Sequence, residues 1–538
     1  MLRNVLGDYL DKVRERELDL PLLLLLPAMG FYDVHLTHGA VEFGKDIIAK
    51  RREEGDEIQY SFQSKVGDIS QADWRNDIQG QILESVLTTL SHPNFDTGLP
   101  HQVVLITTGE LKGNARLALQ NLNRRIEETY RERPIIFWDR ENLTEYFLEY
   151  GLSGLLRTTA PGFMEYGRFL LLYGRALQGL VSNREIESYS RQWLDPSIEV
   201  DRRLLQNAIE AEVVSRQCVE LGYLYEAVHV HLALVRVLCA AAYTDHASRI
   251  SHLYAPAVAR LHTLCVAHLQ LMREMWYRER NLLRIAPLDM TTYLVHCARI
   301  LEMISLAYFS TTDQIRRDEA VTFLGDFITT EPGCCHPLSD HYAVSLVLAA
   351  LVLCDAGRRD VVRELLRRAT VWLCDRYEDG AGLAGLEADE VDETRTLLGY
   401  AFDFIDIPQH RGDFLGTALC DLAAFLGDDD LYAAIVNDIK ACNIHPEYWQ
   451  PQDTVGSCSV EGEDVLHYPS VSYDDNLTPF GNFEFASHLV HESETFQFAA
   501  YFGPEAAVML MTLLRDRYFP KLWPLLVSSR PRVPQMAL

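Results

Sequence analysis

Three side chains near the N-terminus have the chemistry of a phosphodiester-cleaving centre. Asp46 closes the stretch EFGKD (42–46), and Gln63 and Lys65 close EIQYSFQSK (57–65). The carboxylate and the amide oxygen suit Mg²⁺ or Mn²⁺, hard cations that prefer oxygen ligands, and the carbonyl of Ser64 adds a further oxygen. Such an ion polarises a phosphate and acidifies a bound water. Lys65 would position or deprotonate that water, or offset charge growing in the transition state.

These groups meet only if the chain folds them together. DIIAK (46–50) and EIQYSFQSK read as two strands joined through REEGDE, with Gly55 free to take a positive φ. If the turn centres on Glu54-Gly55, paired residues have numbers that sum to about 109. Asp46 then faces Gln63, and Lys65 leaves the same face two residues on. In the second strand Ile58, Tyr60 and Phe62 share one side, and Gln59, Ser61, Gln63 and Lys65 the other. On the plainer view that polar side is only a solvated sheet face.

The surrounding text alternates between helix and strand patterns. Residues 2–15 and 20–29 read as helices, and 32–38 as a strand. Trp74, Ile78, Ile82 and Val86 recur at helical spacing after a capping Asp or Ser. HQVVLITTG (101–109) is an unbroken apolar strand of the kind buried on both faces. A helix, the strand PIIFWD and a last helix follow, so an α/β domain spans residues 1–150, with 151–162 as its boundary.

In this order, with G-x-x-x-x-G-x-D leading one strand and Q-x-K ending the next, the N-terminal region resembles the PD-(D/E)xK nuclease superfamily. More narrowly it is similar to Mrr-like restriction endonucleases. The matching text is GFYDVHLTHGAVEFGKDIIA, IQYSFQSKVGDIS, VVLITTG and IIFWD. The resemblance covers roughly residues 15–150. It implies a restriction-endonuclease-like fold, Asp46, Gln63 and Lys65 as metal-binding and catalytic residues, and DNA as substrate. It also implies an acid from the first helix, for which Asp19 or Glu17 stands at about the right distance. One departure matters: Gln63 occupies a position that is commonly acidic, and a neutral amide attracts a divalent ion less than a carboxylate does. Glu42, in the Gly-bounded loop before Asp46, is the carboxylate that would compensate, unless it contacts the following helix instead.

Beyond residue 163 the pattern becomes helical. Apolar residues at i, i+3, i+4 and i+7 run through LLQNAIEAEVVSRQCVELGYLYEAVHVHLALVRVLCAAA. Gly357 separates two helices of a hairpin. No strict repeat period emerges, so 163–538 reads as a large all-α array of helical hairpins, interrupted by an irregular acidic and aromatic segment at 444–482. Helices are expected at about 484–500 and 503–516.

Composition narrows the functions. The net charge of the 538 residues is −28; the first 150 carry about −8 of it and the rest about −20. Such a chain repels nucleic acid at long range and needs a local basic patch or a bridging metal to bind it. Lys45, Lys50, Arg51 and Arg52 are the nearby cations for phosphate contact, although 50–52 also reads as a plain solvated turn. The 11 cysteines begin at Cys218 and sit mostly in apolar helical text, and no C-x-x-C occurs, which points to reduced thiols in the cytoplasm. The longest apolar run, LPLLLLLP, is too short to cross a membrane and follows a densely charged stretch that argues against a secretory signal. Two functions fit. One is a metal-dependent DNA endonuclease controlled by a helical domain that binds a protein partner or self-assembles, an arrangement that looks like prokaryotic anti-phage effectors. The other is a non-catalytic helical scaffold that carries a degenerate nuclease fold.

Overall fold

The computed structural model describes residues 1–14, 16–37, 43–152, 160–195, 198–245, 248–285, 290–385, 390–397, 412–446 and 502–515. The chain divides into two compact units, Met1–Arg260 and Leu261–Leu538. The packing division thus falls about a hundred residues beyond the 151–162 boundary suggested by the sequence, because helices that follow that stretch pack with the α/β elements.

The first unit is built on a five-stranded mixed sheet in sequence order: β1 (Tyr32–Leu36), β2 (Ile47–Glu53), β3 (Asp56–Lys65), β4 (His101–Thr107) and β5 (Ile136–Trp138). β1–β2 and β2–β3 are antiparallel, and β3–β4 and β4–β5 are parallel. The β2–β3 hairpin runs in unbroken register from Ile47 opposite Phe62 to Glu53 opposite Asp56, so paired numbers sum to 109 as expected. Its two-residue turn places Glu54 at φ 52° and Gly55 at φ 100°, the left-handed pair that matches the twist of antiparallel strands. Lys50, Arg51 and Arg52 lie on β2 rather than in the turn.

Parallel pairing of β3 with β4 requires a crossover. It is supplied by α3 (Gln71–Asp73), a π-wound stretch Trp74–Ile78, and α4 (Gln79–Leu87). Ser70 caps the start, accepting from the Asp73 amide while the Asp73 carboxylate accepts from the Ser70 amide. Trp74, Ile78, Ile82 and Val86 pack with Val103 and Leu105 of β4 and with Ala115, Leu119 and Leu122 of α5 (Ala115–Arg125). On the opposite face Phe31, Tyr60, Phe62 and Trp138 form an aromatic layer, with Phe62 and Trp138 ring centres 5.6 Å apart. α2 (Asp19–Ala28) packs against β1, α6 (Arg140–Tyr146) against β5, and α1 (Leu2–Lys12) against α6.

Four more helices follow: α7 (Ala160–Leu177), α8 (Asn183–Ser190), α9 (Val200–Glu220) and α10 (Leu224–Asp245). α11 (Ser248–Glu279) begins in the first unit, and the division falls within it. Leu224–Thr244 is long and apolar enough to span a bilayer by length and composition, but 83% of its most apolar window is buried inside the protein. α9 is buried on nearly all sides despite its charges. Glu210 accepts from Tyr189, Trp193 and Gln206. Glu17, in the turn before α2, accepts from Arg260 (3.0 Å) and lies 3.5 Å from Arg216. Glu212, 1% exposed, stands 3.6 Å from Arg260 and 3.8 Å from His231.

In the second unit, α12 (Leu282–Ile285), α13 (Met290–Phe309), α14 (Gln314–Thr330), α15 (Ala343–Asp355), α16 (Arg359–Glu378), α17 (Glu390–Leu397), α18 (Phe414–Leu426), α19 (Asp429–Ala441) and α20 (Pro504–Leu514) are described. α15 and α16 form the expected hairpin, with Gly357 at φ 74°. The Arg358 amide there returns to the Leu353 carbonyl. Glu331 accepts from the Trp276 indole, the Leu282 amide and the Tyr293 hydroxyl. The helix expected at 484–500 and nearly all of the irregular 444–482 segment lie outside the described residues.

Burial raises the Glu212 carboxyl to about 7, opposed by Arg260. The folded protein therefore holds a proton that the unfolded chain releases above its ordinary value of 4.5. Stability from this group is complete below that value and declines as pH rises through about 7. Glu212→Gln is expected to gain about 2 kcal/mol over wild type on going from pH 5 to pH 8. Urea unfolding of both proteins at the two pH values measures this. A difference that does not change with pH would show that Glu212 is charged throughout.

Candidate functional site

The site is assembled where β2 begins and β3 ends. The Asp46 amide donates to the Phe62 carbonyl (2.8 Å), and the Asp46 carbonyl accepts from the Thr37 amide (2.9 Å), so the residue is tied to the strands on either side. Its carboxylate Oδ2 accepts from the Ser64 amide at 2.7 Å and from the Ser64 hydroxyl at 3.3 Å. Asp46 is therefore anchored to the residue between Gln63 and Lys65. The loop that delivers it is tightly constrained. Gly44 adopts φ 68°, and a Cβ there would lie 2.4 Å from the Gln81 carbonyl oxygen, so only glycine lets this loop rest against α4.

The polar side of β3 is covered by α4 and the segment after it. Gln59 and Ser61 are fully buried, and Gln63 is 2% exposed. Each finds partners there. The Gln59 amide donates to the Ala49 carbonyl (2.9 Å), and its oxygen accepts from the Asp96 amide (3.2 Å). Ser61 bonds His101 at 2.8 Å and Ser85 at 3.2 Å. Burial, with the nearby Lys45 charge, lowers the His101 imidazole to about 4, so it is neutral near pH 7. Gln63 donates through Nε2 to Gln81 Oε1, and Gln81 Nε2 donates in turn to Asp77 Oδ1. Gln63 Oε1 is buried and has no hydrogen-bond partner. Lys65 Nζ lies 3.8 Å from Asp77 Oδ2.

The other expected residues fall elsewhere. Glu42 lies outside the described residues. Glu17 is taken up by Arg216, Arg260 and the Arg14 amide, which removes it as the extra acid; Asp19 is buried at the start of α2. Lys45 does not offer its charge to a phosphate. It is fully buried, donates to the Thr88 carbonyl at 2.8 Å, and burial lowers its ammonium to about 8. Lys50 is paired with Asp33 at 2.8 Å, Arg51 stacks over Phe31 with its guanidinium 5.0 Å from the ring centre, and Arg52 interacts with Tyr32. These three are thus partnered strand residues rather than a free basic patch.

Two contributors went unnoticed in the sequence, Asp77 and Gln81. They sit four residues apart, on the turns between Trp74, Ile78 and Ile82. That spacing puts them on one edge of the helix marked by Trp74, Ile78, Ile82 and Val86, which was the available signal. Among the described residues no group of three or more His, Cys, Asp or Glu side chains is placed to hold a metal ion. The oxygen set here is one carboxylate, one amide and one backbone carbonyl. Comparison of the chain with protein-family models, curated proteins and solved structures finds no match.

Gly44→Ala is expected to cost about 2–3 kcal/mol, against about 1 kcal/mol for Gly30→Ala. Gly30 has a similar φ of 87° but open space around it. Chemical unfolding of the pair isolates the contact with Gln81, and equal losses would show that the loop yields there.

Proposed function

We propose that the N-terminal α/β region is a metal-dependent nuclease that hydrolyses phosphodiester bonds, with DNA as substrate. The carrying observation is the buried, unpartnered Gln63 Oε1, one residue from the amide that anchors the Asp46 carboxylate. A buried acceptor without a donor costs about 1–3 kcal/mol and is rare in folded proteins. A divalent cation is one group that would relieve it. The donor set fits: Asp46, Gln63 and the Ser64 carbonyl would hold Mg²⁺ or Mn²⁺, an all-oxygen set suited to either. The sheet order and the helical crossover between β3 and β4 agree with the restriction-endonuclease-like arrangement that the sequence resemblance implies.

When bound, the ion would polarise a phosphate oxygen and acidify an attacking water. The chain's own residues do the rest. Ser64 fixes the Asp46 carboxylate through its amide, which presets that ligand before any ion arrives. Lys65 lies on the same strand face as Gln63, and its ammonium would offset the negative charge that grows as the phosphorus becomes five-coordinate. The covering α4 and the aromatic layer keep the sheet beneath the site free of water, which strengthens these electrostatic interactions. We assign control of cleavage to the helical region, through self-assembly or a protein partner. The effector arrangement that the sequence resembles would place this activity in prokaryotic anti-phage defence.

A second reading, a degenerate nuclease fold serving a scaffold, is favoured by one feature: among the described residues no cluster of three acidic, His or Cys groups is placed to bind a metal. Plasmid DNA incubated with Mg²⁺ or Mn²⁺ separates the two. Cleavage by wild type, with at least a hundredfold loss in Lys65→Ala and in Asp46→Ala, is the expected result for the nuclease. Equal traces of cleavage in all three proteins, or none at any metal or protein concentration, would leave the scaffold.

A further inference from the structure

We propose that Asp77 and Gln81 are positioning residues that set the direction of the Gln63 amide, an inference that rests on the metal-dependent reading above. A carboxylate can only accept hydrogen bonds, whereas an amide end can either donate or accept. Asp77 Oδ1 therefore draws the NH₂ end of Gln81, and Gln81 is left presenting its oxygen to β3. That oxygen in turn draws the NH₂ end of Gln63. One negative charge thus orients two amides in series, and Gln63 is obliged to turn its own oxygen away from the helix.

The consequence is the unpartnered Oε1. Nothing intrinsic to Gln63 prevents it from turning over and offering its oxygen to a donor. The Asp77–Gln81 pair holds it in the costly direction, and this direction is the one in which the amide serves as a cation ligand. Asp77 has a second attachment, Lys65 at 3.8 Å, so the same carboxylate steadies the ammonium two residues along the strand. A neutral glutamine at a position where a carboxylate would need no orientation requires such an aligning partner, because only one of its two ends can bind a metal.

Mn²⁺ titration, read as the rise in melting temperature, tests this without relying on activity. Wild type is expected to show a rise that Asp46→Ala abolishes. Asp77→Asn gives Gln81 a partner that accepts either end, and Gln81→Met removes the aligning oxygen. Each is expected to weaken apparent Mn²⁺ affinity about tenfold or more. The diagnostic variant is Gln63→Glu, in which both side-chain ends are oxygens and direction no longer matters. In that background Gln81→Met is expected to change the affinity less than about twofold. Melting in EDTA establishes that each variant is folded, and Asp77→Asn carries the test if Gln81→Met is not. A wild-type rise that persists undiminished in Asp77→Asn and Gln81→Met overturns the positioning role alone. A tenfold loss from Gln81→Met that remains in the Gln63→Glu background also overturns it, since the effect would then be general packing. No rise in wild type overturns the metal reading and the positioning role with it.

Discussion

Covering the polar side of β3 with a helix is the constraint on which the N-terminal structure turns. A strand with Gln59, Ser61 and Gln63 on one face would ordinarily leave that face in water, but here α4 and the π-wound turn before it must cover it because Ile78, Ile82 and Val86 are committed to Val103 and Leu105 beside it. Every polar group on that face then has to find a partner within the protein. Gln59 uses an Ala49 carbonyl and an Asp96 amide, and Ser61 uses His101 and Ser85. Gln63 satisfies one end and not the other. The exception falls beside Asp46 and Lys65, at the end of the strand where the covering is thinnest and Lys65 is already partly exposed.

Other buried polar atoms in the first unit also lack hydrogen bonds, among them both Glu212 oxygens, both His231 nitrogens and the Tyr9 hydroxyl. Their setting is different. They crowd around Arg216 and Arg260, whose positive charges offset part of the desolvation of Glu212, while burial holds the His231 imidazole and the Tyr9 phenol neutral. Packing that cluster between α1, α9 and α11 ties the turn before α2, through Glu17, to the helices that follow the sheet. It explains why the α/β elements and the next hundred residues form one compact unit: separating them would expose or strand two arginines and two glutamates together.

The sequence showed the hairpin well because its signal is local. Glu54-Gly55 can supply two left-handed residues in a row, and the strand alternation on either side fixes one register. The stripe Trp74, Ile78, Ile82 and Val86 was equally plain, since a four-residue apolar period needs no tertiary information. What lay beyond reach was the fate of charge. Lys45 resembles the other cations of its neighbourhood in the text, yet it is buried against the Thr88 carbonyl while Arg52 remains exposed on its strand. The resemblance offered Glu17, alongside Asp19, as an additional acid from the first helix, and its capture by Arg216 and Arg260 depends on residues about two hundred positions away. Side-chain partnerships across such separations leave no periodicity to read.

The same partnerships bear on how a chain of charge −28 could meet a polyanion. A cation contributes to phosphate binding when it releases counterions, and a cation already neutralised by a carboxylate has little to release. Lys50 is paired with Asp33, and Lys65 stands beside Asp77. On the nuclease reading, a phosphate reaching Lys65 competes with Asp77 for the ammonium, and a bound divalent ion becomes the main source of local positive charge. Substrate affinity and metal occupancy are then coupled at one spot, and an isolated chain holds DNA weakly. On the same reading, assembly of several chains would multiply weak contacts into useful avidity without any basic patch, and the helical region would then have a physical means of control.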